Sequence, residues 1–219
     1  MKKRLKSIAV LVSGGLDSAI LLNQLLTRHQ AVYPIYVQGG NIWEKTELIY
    51  LRSFLRFIKC KQLEPLATLS FPLKDIYQNL WSLTGRKVPG GKSRDEAVYL
   101  PGRNLILIAK TAIFCAQKRI PKIALAPLKS NPFPDATREF FNHYELTLSK
   151  GLDFQIKIQT PFLSKTKKDV MRLGAKLPFH LTFSCINPTR RKHCGHCNKC
   201  AERKVAFKLI HLKDPSKYA

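Results

Sequence analysis

Acidic residues are scarce in this chain: 14 Asp and Glu stand against 38 Lys and Arg in 219 residues, a net charge of +24 at pH 7. A surplus of this sign attracts polyanions such as nucleic acids, nucleotides and acidic proteins. The excess is uneven, +13 over the first 150 residues and +11 over the last 69, so the C-terminal third is the more basic per residue. No apolar run approaches the roughly eighteen residues that a membrane-spanning helix needs. The basic start Lys2-Lys3-Arg4, followed by apolar Ile8 to Val12, has the outline of an export signal. That stretch breaks at Ser13-Gly14-Gly15, carries Asp17 and lacks a small-residue cleavage site, so the expected location is the cytoplasm. Internal repeats and low-complexity tracts are missing. So are the lysine-bearing loop G-x-x-x-x-G-K-[ST] and the fingerprint G-x-G-x-x-G.

What is present is apolar enough to fold. Hydrophobic residues make up 45 % and aromatics 10 % of a 25.0 kDa chain, which suits one large domain or a domain with an appended module. Short β-branched runs at 7–12, 31–37, 63–69, 123–126 and 154–158 read as strands. Segments of helical spacing at 16–27, 44–58, 105–116, 137–149 and 167–176 alternate with them. Strands alternating with helices predict an α/β fold with an open, mostly parallel sheet, whose ligands sit outside the carboxyl ends of the strands. Residues 84–103 and 127–136 read as loops. The pattern changes near 181 to a cysteine-bearing loop and a closing helix over 201–210. The expected division is therefore an α/β domain over 1–180 and a metal-binding segment over 181–219.

Three motifs carry chemistry. Ser13-Gly14-Gly15-Leu16-Asp17-Ser18 lies at the first strand-to-helix turn, where glycines let amide groups turn outward and the helix N-terminus adds partial positive charge. A phosphate group is the natural guest of such a nest. Ser13 and Ser18 supply hydroxyl donors, and Asp17, which repels a bare phosphate, suits a Mg²⁺ that bridges phosphates. Arg103, on a glycine turn before an apolar helix, is a planar cation fitted to phosphate or carboxylate. Cys185, Cys194, Cys197 and Cys200 fall within sixteen residues. In a chain with no export signal they point to metal and not to disulfides. Four thiolates select zinc and leave no open position, so the ion is expected to be structural, one per chain. Cys60 and Cys115 stand alone in apolar surroundings and read as buried thiols without a chemical role.

The first motif resembles the pyrophosphate loop of ATP pyrophosphatases, which cleave ATP between the α and β phosphates to adenylate a substrate. Pro101-Gly102-Arg103-Asn104 and the run from Cys185 through Cys194-Gly195, Cys197 and Cys200 to Glu202-Arg203 narrow the resemblance to the 7-cyano-7-deazaguanine synthase family of queuosine biosynthesis. Thr166-Lys167, with Val170 and Gly174, also resembles that family, in which the lysine faces phosphate. On residues alone Lys167 reads as part of a solvated lysine run.

The resemblance implies a Rossmann-like ATP-pyrophosphatase fold. It implies ATP held by Ser13, Gly14, Gly15, Leu16, Asp17 and Ser18, with Tyr36 and Val37 at the end of the second strand. Asp17, Arg103 and Lys167 are its catalytic set. The implied reaction is adenylation of 7-carboxy-7-deazaguanine and conversion with ammonia to the nitrile. Two segments depart from the family: Tyr36-Val37-Gln38-Gly39-Gly40 only loosely resembles Tyr-Gly-Gln-Arg-His, and Gly-Tyr-Pro-Asp-Cys-Arg-Pro-Glu-Phe is replaced by Pro132-Phe133-Pro134-Asp135-Ala136-Thr137-Arg138-Glu139-Phe140. Phe133 and Asp135 are the residues expected to meet the acceptor ring, by stacking and by pairing with an N–H edge. The alternative acceptor, favoured by the charge and the altered loop, is a macromolecule: a tRNA base or a deazapurine-modified protein. No membrane is expected, and a homodimer is a permitted assembly.

Overall fold

A computed structural model describes residues 5–219; the basic start at Lys2 to Arg4 lies outside them. Five parallel strands form one sheet in the order β3-β2-β1-β4-β5. They are β1 (Leu5–Leu11), β2 (His29–Gln38), β3 (Ala67–Ser70), β4 (Lys122–Ala124) and β5 (Lys157–Gln159). The helices are α1 (Leu16–Leu26), α2 (Glu44–Phe57), α3 (Lys74–Tyr77), α4 (Trp81–Thr84), α5 (Arg103–Gln117), α6 (Arg138–Gly151), α7 (Lys167–Leu173) and α8 (Asn198–Leu209). The expected open α/β fold is thus present, and among the described residues every strand pair is parallel. No helix among them is long and apolar enough to cross a membrane.

Both sheet faces are covered, which is why the strands read as apolar runs and not as alternating ones. Ile8, Val10, Val12, Val32 and Tyr36 pack with α1, α2, α7 and α8 on one face. Ala9, Ile35, Val37 and Ile123 pack with Ala112 and Cys115 of α5 on the other. Gly174, just past α7, lies against Ile20, where any side chain would collide. The cysteine-bearing segment joins both the main core, through Ala206 and Phe207, and a second apolar cluster above the sheet. Trp43, Leu73, Tyr77, Val98 and Phe183 surround the buried cysteines in that cluster.

Two strands start later than their sequence outline. β3 begins at Ala67 instead of 63, because Pro65 cannot donate to a ladder; Leu63 makes only an isolated bridge to Val32. β5 begins at Lys157, because the Ile156 amide donates to the Ser149 hydroxyl at 3.1 Å instead of to a strand. The sheet's order matters more for function. The chain winds outward from β1 to β3 and then crosses to β4 on the other side. The carboxyl ends of β1 and β4 therefore flank the point where the winding reverses, and there an open sheet forms a crevice.

Candidate functional site

A cleft of about 340 Å³ opens at that point. Leu11 and Val12 from the end of β1, Tyr36 and Val37 from β2 and Leu125 to Pro127 after β4 form its floor. Ser13, Gly15, Leu16, Asp17, Ser18, Arg103, Phe133 and Lys167, all singled out from the sequence, line its walls. Gly14 sits just behind. Its φ of +75° turns the chain, and a Cβ there would press on the Glu47 carbonyl and the Leu51 side chain at 3.4 Å. Only glycine takes that conformation without strain.

The turn is organised by its own hydroxyls. The Ser13 amide donates to the Ser18 hydroxyl at 3.2 Å, the Gly15 amide to the Ser13 hydroxyl at 3.3 Å, and the Ser18 hydroxyl to the Gly15 carbonyl at 3.2 Å. α1 starts with Gly15 as N-cap and no side chain capping it. Its first amides and its dipole are therefore turned to the cleft, the arrangement that binds an anion.

Asp17 is held from one side only. Its Oδ2 accepts from Lys167 Nζ at 2.7 Å, whereas its Oδ1 is buried with no partner among the described residues. A buried carboxylate oxygen left unpaired is costly unless a ligand meets it, so the atom fits a cation ligand. Lys167 continues to Glu202 Oε1 at 2.9 Å, and Glu202 Oε2 meets Lys199 Nζ at 2.7 Å. Burial opposes the charge on Lys167, but Asp17 and Glu202 outweigh it and hold the ammonium above its usual range. Burial likewise opposes the charge on Glu202, yet Lys167 and Lys199 bring its carboxyl down to about 2. Lys167 is thus a half-buried cation held by two carboxylates beside the Ser13–Ser18 turn and no solvated lysine.

The opposite wall carries a different charge state. Glu47 is fully enclosed, accepts from the Tyr36 hydroxyl, and has its carboxyl pushed up to about 8 by burial against the opposing pull of Tyr36 and Arg103. At neutral pH it keeps its proton and adds no negative charge to the cleft. Glu44, one turn earlier, accepts from the Gly39 and Gly40 amides at 2.8 and 3.0 Å and from the Asn41 amide group at 2.7 Å, fixing the loop after β2. Arg103 makes no ion pair among the described residues, leaving its guanidinium free for a ligand.

Because Glu47 has a folded-state pKa above its unfolded value, its contribution to stability is full below about 4.5 and is lost as pH rises through about 8. Glu47→Gln is therefore expected to flatten the fall in melting temperature between those pH values, while wild type declines. Parallel pH profiles for the two proteins would show that Glu47 ionises normally.

Phe133 reaches the cleft and lies against Tyr99, ring centroids 5.0 Å apart. Asp135 does not line it. Its Oδ2 accepts from the Asn104 backbone amide at 2.9 Å, and the Asn104 side chain donates to the Asp135 carbonyl at 3.0 Å. The carboxylate thus closes the first turn of α5, while Thr137 caps α6 by accepting from the Phe140 amide. Asp135 meets the cleft through Asn104, which lines it.

The four cysteines converge as their spacing required. Their sulfurs all lie within 4.8 Å of one another, with Cys185–Cys197 at 3.8 Å and Cys194–Cys200 at 3.9 Å. Zinc–thiolate bonds of ~2.3 Å in a tetrahedron set neighbouring sulfurs about 3.8 Å apart, so the cage fits that ion. Amides of Asn187 and Cys194 donate to Cys185 Sγ at 3.3 Å, and that of Cys197 to Cys194 Sγ at 3.4 Å, as thiolates require. His193 instead accepts from the Ser184 amide at 3.2 Å. Cys60 and Cys115 stand apart from the cluster; Cys115 is buried as expected, and burial pushes its thiol up to about 12, whereas Cys60 lies past the end of α2 and is exposed, not buried.

Glu47, Asn104, Lys199 and Glu202 are cleft residues that the motifs did not single out for a role. Two of them were legible as motif members, Glu202 in the cysteine motif and Asn104 in Pro101-Gly102-Arg103-Asn104. Arg203 is wholly buried and donates to Ser216 at 2.6 Å, Thr182 at 2.9 Å and the Phe179 carbonyl at 2.8 Å, tying α8 to the loop before the cysteines. Glu47, three residues after Glu44 at a helix start, looks in sequence like an ordinary partner of the helix dipole.

Fold and site together define an open α/β protein with a parallel sheet, an uncapped glycine turn at its switch point and a four-cysteine cage beside it. The chain belongs to the family described as queuosine biosynthesis protein QueC, which matches residues 7–211. It is 28 % identical to the 7-cyano-7-deazaguanine synthase of Methanococcus aeolicus, over 98 % of this chain and 99 % of that protein. It is 29 % identical to 7-cyano-7-deazaguanine synthase 1 of Desulfitobacterium hafniense, covering 92 % and 91 % of the two chains. The Leptospira interrogans synthase is 30 % identical over 90 % and 85 %.

Proposed function

We propose that this chain is an ATP-dependent 7-cyano-7-deazaguanine synthase. The observation that carries the reading is the convergence, in one cleft, of an uncapped helix start, the half-free carboxylate of Asp17 and the cations Lys167 and Arg103. Such a site neutralises a departing pyrophosphate and needs little acid–base chemistry from the protein.

In this reading the acceptor carboxylate attacks the α-phosphorus of ATP, giving an acyl-adenylate and pyrophosphate. Ammonia displaces AMP to give the amide. The amide oxygen is adenylated by a second ATP, and loss of AMP and a proton leaves the nitrile. The amides of Leu16 to Ser18 and the hydroxyls of Ser13 and Ser18 bind phosphate oxygens. Lys167, locked by Asp17 and Glu202, cannot swing away, so its charge is in place before reaction. Mg²⁺, carried in with ATP, supplies further charge neutralisation, with Asp17 as its protein ligand. Tyr36 and Val37 border the nucleotide. Phe133 offers a face to the deazapurine, and Asp135 positions Asn104 at its edge. Zinc fills the cysteine cage as a structural ion.

The test is pyrophosphate release from ATP with 7-carboxy-7-deazaguanine and ammonium. Nitrile formation with about two pyrophosphates per product is expected from two adenylations. Release that needs a macromolecular acceptor, and none with the free acid, would move the reading to that acceptor.

A further inference from the structure

The cleft uses few of the chain's cations, and the excess is not spread evenly. Three separate segments dock on the cysteine-bearing turn. Residues 86–94 attach through a Gly90–Cys197 bridge, a bond from the Gly91 amide to the His196 carbonyl at 2.7 Å and one from the Asn198 amide to the Pro89 carbonyl at 2.9 Å. Residues 189–192 fold as a hairpin closed by a Thr189–Lys192 bridge, two residues before Cys194. The C-terminal tail pairs with His193, whose amide donates to the Lys217 carbonyl at 3.3 Å.

The first two segments contain no acid. Arg86, Lys87 and Lys92 of the first, Arg190, Arg191 and Lys192 of the second and Lys217 of the tail are exposed. None is in an ion pair among the described residues.

The hairpin tip is also strained. Arg190 and Arg191 have φ of +48° and +61°, the left-handed conformation that a two-residue turn of this kind demands and that Asn-Gly adopts readily. Two consecutive arginines are poor residues there for folding. Lys87 in the neighbouring segment also has positive φ, at +54°. Strain retained at exposed cations points to a ligand.

We propose that this face, built on the cysteine turn, binds the phosphate backbone of single-stranded RNA. Unpaired guanidinium forks match phosphate oxygens. None of the exposed large apolar side chains falls in residues 86–94 or 189–192. A protein partner wants an apolar centre to its interface, whereas a nucleic-acid backbone is met by polar, positively charged surface.

The test measures binding of a labelled single-stranded RNA to the full-length, metal-loaded protein by fluorescence anisotropy, from about 50 to about 200 mM salt. Arg190→Asn/Arg191→Gly removes both charges and gives the turn its preferred residues, so melting temperature is expected to hold or rise. The slope of log K against log salt is expected to shrink by about 1.4, that is ~0.7 for each phosphate no longer neutralised. Lys59→Gln/Lys61→Gln removes the same charge from the far end of the sheet and is expected to leave the slope unchanged. Absence of salt-dependent binding, equal loss in both double variants, or competition by poly-glutamate as effective per charge as RNA would each overturn the proposal, the last in favour of an acidic protein. Pyrophosphate release with the small-molecule acceptor is read separately, so this proposal fails or stands independently of the synthase reading.

Discussion

Asp17→Asn is expected to cut turnover by two to four orders of magnitude, on the order of 3–5 kcal/mol of transition-state stabilisation, and to leave the fold intact. The substitution keeps the shape of the side chain and removes its charge. Lys167 retains Glu202, so the cation is not left unpaired, and the Ser13–Ser18 turn keeps its own bonds. What disappears is the anionic oxygen that meets no donor among the described residues, the one suited to hold Mg²⁺ against the leaving pyrophosphate. Single-turnover pyrophosphate release beside a thermal melt separates the two effects. Activity within about tenfold of wild type, a loss of only ~1.4 kcal/mol, would place the metal elsewhere.

Cys197→Ser is expected to lose metal, stability and activity together. Purified wild type should hold about one zinc per chain, and the apparent binding energy of a structural site, ~10–16 kcal/mol, rivals the entire stability of a domain. Cys197 sits at the hinge of the arrangement. It caps α8, its sulfur lies 3.8 Å from that of Cys185, and residues 89–91 attach to the chain on either side of it. Releasing it frees the start of the helix that delivers Lys199, Glu202 and Arg203 to the cleft. Metal content by elemental analysis, a melt and a turnover assay on wild type, variant and chelated protein check this. A chelated protein with unaltered melting temperature and full activity would show that the cage is ornamental to the fold.

Much of the architecture was open to reading from local pattern. Ile8 to Val12 ending at Ser13-Gly14-Gly15 marked a strand feeding a glycine turn. The apolar spacing of Leu48, Leu51 and Leu55 marked α2, and the crowding of four cysteines marked a cage before any distance was known. These features rest on interactions between residues close in the chain: backbone sterics, helical period, ligand spacing. The weak points were also local in origin, since Pro65 trimmed β3 and the Ser149 hydroxyl took the amide that would have lengthened β5.

The charge states of the cleft were not open to such reading. Lys167 lies among lysines in sequence, and only the packing of α7 beside α1 and α8 sets its ammonium 2.7 Å from Asp17, 150 residues away. Glu47 keeps its proton because α2 buries it against Tyr36 and not because of any neighbour in the chain. Asp135 has the residue type of a ring-binding acceptor, yet the fold brings it against the first turn of α5, where Asn104 takes both its carboxylate and its carbonyl. By itself the sequence determined the parallel α/β fold, the glycine turn after β1 and the four-cysteine set, because each follows from short-range geometry and spacing. Tertiary structure alone decided which carboxylate is half free, which is protonated and which lysine is locked, because desolvation and Coulomb energy depend on burial and on distances between residues far apart in the chain.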